Sequence, residues 1–204
     1  MNIHPPSKDG VSKRIWEEGC WECDHIKALK KALSHYQNSY FLDIGGNIAA
    51  TEQPAKFRFK MATRNYGGTR VVPLDKDETE TILMDDKDIA QGVTIDSLNL
   101  PTKQPVVLKL DVEGHELSAL SGATQFLQNA NIVYANMELR PNLHTDPRWK
   151  SIFQVLHSKG LKPYRINYED ETPLDINRLS EWKHFKHPKV LYFDMVWRLS
   201  DFTP

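Results

Sequence analysis

From SKRIWEEG to HYQNS the chain reads as a helical lead-in, because Ile26, Leu29, Lys30 and Leu33 recur at helical spacing and their apolar members share a face. SYFLDI follows as a short apolar run ended by glycines, the pattern of a buried parallel strand. FRFKMA alternates as a strand does and leads into the loop RNYGGTR, after which the acidic stretch DKDETETILMDDKD is expected to be solvated. PVVLKLDV (105 to 112) is a second buried strand. HELSALSGATQFLQ is a helix with Leu117, Leu120 and Leu127 inward, and IVYANMEL (132 to 139) is a third strand. Pro147 opens another helix through WKSIFQVLHSKG, with Gly160 as its stop. LKPYRIN and KVLYFDMVWRL close the chain as strands, the last rich in β-branched and aromatic residues. Strands alternating with helices predict an open, mostly parallel α/β sheet.

A chain of 204 residues suits one domain with a single good core, here a lead-in over 1–39 and a sheet-bearing body over 40–204. With 40% hydrophobic and 26% charged residues and a net charge of -1, a general nucleic-acid or membrane-surface binder is not expected. No apolar run approaches the roughly 18 residues of a membrane span. MNIHPPSKDG lacks the order of a signal peptide, so the cytoplasm is the default compartment. Cys20 and Cys23, in GCWECDH, have the spacing of a redox pair or half a zinc site with His25 as third ligand. No second pair follows, and they are read as structural thiols near Trp16 and Trp21, with no metal site.

In such sheets ligands sit beyond the carboxyl ends of the strands. Asp43 ends the first strand, Asp111 and Glu113 the second, and Glu138 the third. Four carboxylates at three strand ends are a poor choice for packing and point to a ligand site. Helix capping is the alternative for one of them: Asp111 or Glu113 at the helix beginning near His115, or Asp43 on the amides of its own turn.

DIGGNI (43 to 48), NYGGT (65 to 69), VTIDSL (93 to 98) and above all LKLDVEGHELSALSGA (108 to 123) resemble the FkbM family of S-adenosylmethionine-dependent methyltransferases, as does the lead-in DGVSKRIWEEGCWE. The resemblance implies a class I methyltransferase fold, a Rossmann-like sheet whose final strand is antiparallel. It also implies methylation of a hydroxyl oxygen on a sugar, polyketide or similar small molecule. Carried onto this chain, it places the backbone of Gly45 and Gly46 against the methionine part of S-adenosylmethionine. Asp43 and Asn47 would orient that turn or bind the cofactor's amino group, and Asp111 and Glu113 would face the methyl group and acceptor. His115 is the expected base by type, with Glu113 or Asp111 as substitutes and a plain surface histidine as the alternative.

The resemblance also exposes a gap. The family turn reads D-I-G-A-N-I-G, whereas Ala49 follows Ile48 here. Between Asn47 and Phe57 there is no length for a crossover, Pro54 interrupts what there is, and no carboxylate stands between Glu52 and Asp75 to hold a ribose. The first crossover helix, the strand bearing the ribose-binding acid and the next helix and strand are read as deleted. Charge-assisted hydrogen bonds of about 1.5–3 kcal/mol each would be lost, roughly tenfold to a hundredfold or more in affinity, so the cofactor is expected to bind weakly or not at all. An exposed edge on the DIGG strand would favour a homo-oligomer. An inactive binding module is the second reading; a dehydrogenase is the third, since G-G-N lacks G-x-G-x-x-G spacing. The 75–88 stretch and the loop ELRPNLHTDP, with Arg140, His144 and Trp149, are candidate walls of an acceptor pocket, each more simply an ordinary loop residue.

Overall fold

A computed structural model of the chain describes residues 9–45, 50–60, 70–74, 89–139, 145–166, 171–185 and 193–203. Gly46, Asn47, the RNYGGT loop, the acidic stretch 75–88, Arg140 and His144 lie outside them. Helix α1 (Gly10–Glu18) starts at Asp9, whose carboxylate accepts from the Ser12 amide at 2.8 Å, and ends at Gly19 with φ 81°. Helix α2 (Cys23–His35) completes the lead-in. Then come β1 (Tyr40–Ile44), β2 (Ala55–Lys60), β3 (Arg70–Pro73), β4 (Ile89–Gly92) and β5 (Pro105–Leu110). Helices α3 (Glu116–Ser121) and α4 (Thr124–Asn129) precede β6 (Asn131–Leu139) and α5 (Pro147–Ser158). The chain finishes with β7 (Lys162–Ile166), β8 (Glu171–Pro173) and β9 (Phe193–Arg198).

The main sheet has the order β1-β5-β6-β9-β7-β8. Strands β1, β5 and β6 are parallel, and β9 runs antiparallel to both β6 and β7. This is the expected Rossmann-like α/β architecture with a reversed final strand. The FRFKMA segment belongs elsewhere: β2 is the centre of a small antiparallel sheet, β3-β2-β4. Helices α3, α4 and α5 cover one face of the main sheet, where Leu120, Leu127, Phe153 and Leu156 pack on Leu108, Leu110, Met137 and Trp197. Helix α2 covers the other, where Leu29 and Ala32 meet Val107, Val133, Tyr134 and Val196. Being apolar on both faces is why VVLKL and IVYANM read as continuous runs.

Three expectations need correction. Ile26 does not share the buried face of α2: it is 41% exposed, because the helix packs through Leu29, Ala32 and Leu33 and its first turn extends past the apolar surface. The HELSALSGATQFLQ segment is two helices, broken at Gly122, where a Cβ would overlap the Thr51 carbonyl. Trp149 is a core residue of α5, its ring 5.3 Å from that of Phe153.

Asp96 secures the restart after the break, its two carboxylate oxygens accepting from the amides of Gln125 (2.9 Å) and Phe126 (2.8 Å). These are otherwise unpaired donors at the start of α4, so Asp96→Ala should cost about 1–2 kcal/mol, read as a lower urea midpoint with unchanged slope.

Candidate functional site

Register places the side chains of the α2-covered face in rows across the main sheet. The first row holds Phe41, Val107, Tyr134 and Arg198. The next, toward the carboxyl ends of the parallel strands, holds Asp43, Lys109, Asn136 and Val196. Beyond it Glu138 lies opposite Asp194, and Asp111 follows the end of β5. Along β1, β5 and β6 the face thus changes from apolar to polar and ionic. Helix α2 matches the change: Leu29 and Ala32 sit over the apolar rows, while His25, one turn earlier on the same stripe, meets Asp194.

Lys109 donates to Asp111 Oδ2 at 2.9 Å. Burial works against its charge, but that bond and the nearby Glu22 and Asp43 carboxylates outweigh it and raise the ammonium above its usual range. The His25 ring lies 3.8 Å from Glu22 through Nδ1 and 3.8 Å from Asp194 through Nε2, ion-pair rather than hydrogen-bond separations. Burial opposes its protonation, yet the two carboxylates prevail and its proton affinity rises. Glu138 is pushed up to about 8, first by burial and then by the charges of Asp111, Asp194, Glu113 and Glu116. Burial likewise raises Asp194, with His25 pulling the other way. Asn136 is 3% exposed, and its Nδ2 donor has no partner. Such a buried donor beside a charged row points to a polar ligand.

Ile44 and Gly45, at the end of β1, meet Asp111 through their backbones. The Asp111 amide donates to the Ile44 carbonyl at 3.0 Å, and Gly45, at φ 129°, lies so close that a Cβ there would overlap the Asp111 carbonyl. Glu113 (φ 52°) and Gly114 (φ 94°) are both left-handed, a conformation rare for a glutamate and of the kind found at functional turns. Asp111 does not cap α3, which starts at His115 without a side-chain cap. The buried Glu116 instead accepts from the Gly114 amide at 2.7 Å.

His115 faces the small sheet. Its Nε2 lies 2.9 Å from the Val71 carbonyl, and its ring packs edge-on to Phe57. Since a carbonyl only accepts, Nε2 carries a proton, and a base role would act through Nδ1. Asp43 is exposed at the β1 end, while Asp111 and Glu113 are half-buried beside the acidic row.

A match to the methyltransferase FkbM domain spans residues 28–163. The chain belongs to the FkbM methyltransferase family. No curated protein and no solved structure matches it. The FkbM match takes in β1, both glycine turns, β5, β6 and α5, whereas Glu22, His25 and Asp194 come from the flanking segments.

Several residues of the candidate site in this FkbM chain carry no site expectation from the sequence: Lys109, Asn136, Asp194 and Glu22, with His25 considered there only as a metal ligand. The signal shared by Lys109, Asn136 and Asp194 is a polar residue interrupting a buried strand on one face, in VVLKLD, YANMEL and FDMVW, whereas Glu22 and His25, at the start of α2, carry no such signal. Cys20 and Cys23 are not free thiols but a disulfide: the backbone between them, left-handed at Glu22, sets their Cα atoms 5.6 Å apart, within bonding range. Among the described residues no group of His, Cys, Asp and Glu is arranged to hold a metal ion, and no helix is long and apolar enough to cross a membrane. A groove of about 330 Å³ between α4 and α5, lined by Leu127, Ile152 and the Arg148–Glu52 pair, lies on the opposite face from the carboxylates.

Proposed function

We propose that this chain is an S-adenosylmethionine-dependent methyltransferase acting on a hydroxyl oxygen of a small molecule. The observation that carries the reading is the backbone contact of Gly45 with Asp111, which brings two turns together at the carboxyl ends of two parallel strands. The chemistry of the surroundings fits the donor. S-adenosylmethionine carries a sulfonium and an ammonium, and Asp43, Asp111, Glu138 and Asp194 line that end of the sheet.

When bound, the donor supplies a methyl group on sulfur that is open to in-line displacement. Gly45, with Gly46 and Asn47 next in the chain, would hold its methionine part, and Asp43 its amino group. Asp111, fixed by Lys109, would orient the acceptor hydroxyl, and Asp111 or Glu113 would take its proton. Glu138, carrying a proton at neutral pH, would donate to an acceptor oxygen, as would the unmatched Asn136 amide. A polyhydroxylated acceptor suits this mixture of donors and carboxylates. Among the described residues β1 is an edge strand of the main sheet, with no strand beyond it, which supports the reading that the crossover and its ribose-binding acid are missing. Donor affinity should therefore be roughly 10- to 100-fold below that of a site with the ribose contact. The inactive-module reading rests on that missing crossover alone, and the FkbM domain match favours the enzyme.

Transfer of labelled methyl from S-adenosylmethionine to a panel of sugars and other hydroxylated small molecules tests the proposal. Asp111→Asn should lower the rate by about 100-fold or more at unchanged circular dichroism. Equal rates in the variant and the parent protein would refute the role of Asp111.

Glu138 adds a pH dependence. Its folded pKa of about 8 lies above the ordinary 4.5, so between these values the folded state holds a proton that the unfolded state has released. Stability is then fully present below about pH 4.5 and lost as pH rises toward about 8. Glu138→Gln should flatten this fall and be more stable at pH 9 by about 2 kcal/mol, allowing for solvent screening at a half-buried site. Thermal melts of both proteins from pH 4 to 9 check it.

A further inference from the structure

The turn joining α1 to α2 is closed by the Cys20–Cys23 disulfide. Inside it Glu22 has φ 50° and ψ 44°, a left-handed backbone that a residue with a Cβ adopts at a cost. Glu22 occupies the N-cap of α2 yet makes no capping hydrogen bond. Its carboxylate faces His25 instead, and the other side of His25 faces Asp194, which lies opposite Glu138. Both cysteines are partly exposed. A loop this short gains least from closure entropy, so the effect of the bond is local: it holds Glu22 where the backbone alone would not.

We propose that Cys20–Cys23 is a reversible redox site that controls the acidic row of the main sheet through Glu22 and His25. A dithiol supplies two electrons and two protons: the Cys20–Cys23 bond breaks to give two thiols, and the dithiol becomes a disulfide. Released from the closed turn, Glu22 leaves the left-handed region and withdraws from His25. The groups facing His25 are then Asp194 on β9, which favours its protonation, and Lys109 on β5, which opposes it. His25 holds its proton less tightly, and its grip on Asp194 weakens with it. In a reducing compartment such a bond would be transient and responsive rather than structural. The inference stands apart from methyl transfer and needs no acceptor.

The test is an NMR titration of the His25 ring in the full chain, oxidised and then treated with dithiothreitol, with the resonance assigned by His25→Gln. Reduction should lower the proton affinity of His25 by threefold or more, and Cys20→Ser with Cys23→Ser should match the reduced form. Glu22→Gln should lower the affinity in the oxidised protein and remove the response to dithiothreitol. A His25 titration that is the same in both redox states, or a response that persists in Glu22→Gln, would overturn the proposal. So would mass spectrometry showing two free thiols in the air-oxidised chain.

Discussion

Alanine at Gly45 should destabilise the chain by roughly 2–4 kcal/mol and eliminate binding of S-adenosylmethionine. Two effects add at this position. The backbone sits at φ 129°, outside the range an L side chain adopts readily, and the new Cβ would overlap the Asp111 carbonyl, which is backbone and cannot rotate away. The Asp111 amide is already tied to Ile44, so relief requires separating the ends of β1 and β5. That separation moves Asp111 and the Glu113 turn together, so binding and stability fall jointly. Urea unfolding and titration of the same preparation check this; a stable variant that binds normally would show that the two turns need not touch.

Trp197→Ala should cost about 3–5 kcal/mol, a large share of the 5–15 kcal/mol typical of a folded domain. Trp197 is fully buried on β9, paired in register with Ala135 on one side and Pro163 on the other, and its ring lies 5.3 Å from Phe153 of α5. Truncation would open a cavity between the sheet and α5, flanked by elements too regular to collapse into it. The indole Nε1 has no hydrogen-bond partner, so Trp197→Phe removes an unmatched donor along with volume and should cost markedly less than alanine. Thermal melts of the two variants give the comparison, and similar losses in both would mean that the indole nitrogen is satisfied in solution.

The strands at the centre of the main sheet were legible because burial on both faces turns them into apolar runs, as in VVLKL and IVYANM. Short strands bearing little apolar surface, RVVP, IAQG and ETP, carry no such signal and are set by their partners. The break at Gly122 was hidden because its cause is a long-range contact with the Thr51 backbone, which no local pattern encodes. The strand-end positions of Asp43, Asp111 and Glu138 could be read from the apolar runs that precede them. The link of His25 to Asp194 could not, since it joins residues far apart in the chain across β9. The disulfide is hidden for a different reason: C-x-x-C spacing permits a bond, but the left-handed backbone at Glu22 that closes the turn has no signal in a glutamate.

The most direct measurement is a calorimetric titration of the folded chain with S-adenosylmethionine near pH 7. The Gly45–Asp111 contact leads us to expect saturable binding at one site, weaker than that of a site with a ribose-binding acid and absent in Gly45→Ala. No binding by a chain whose circular dichroism shows it folded would contradict the account.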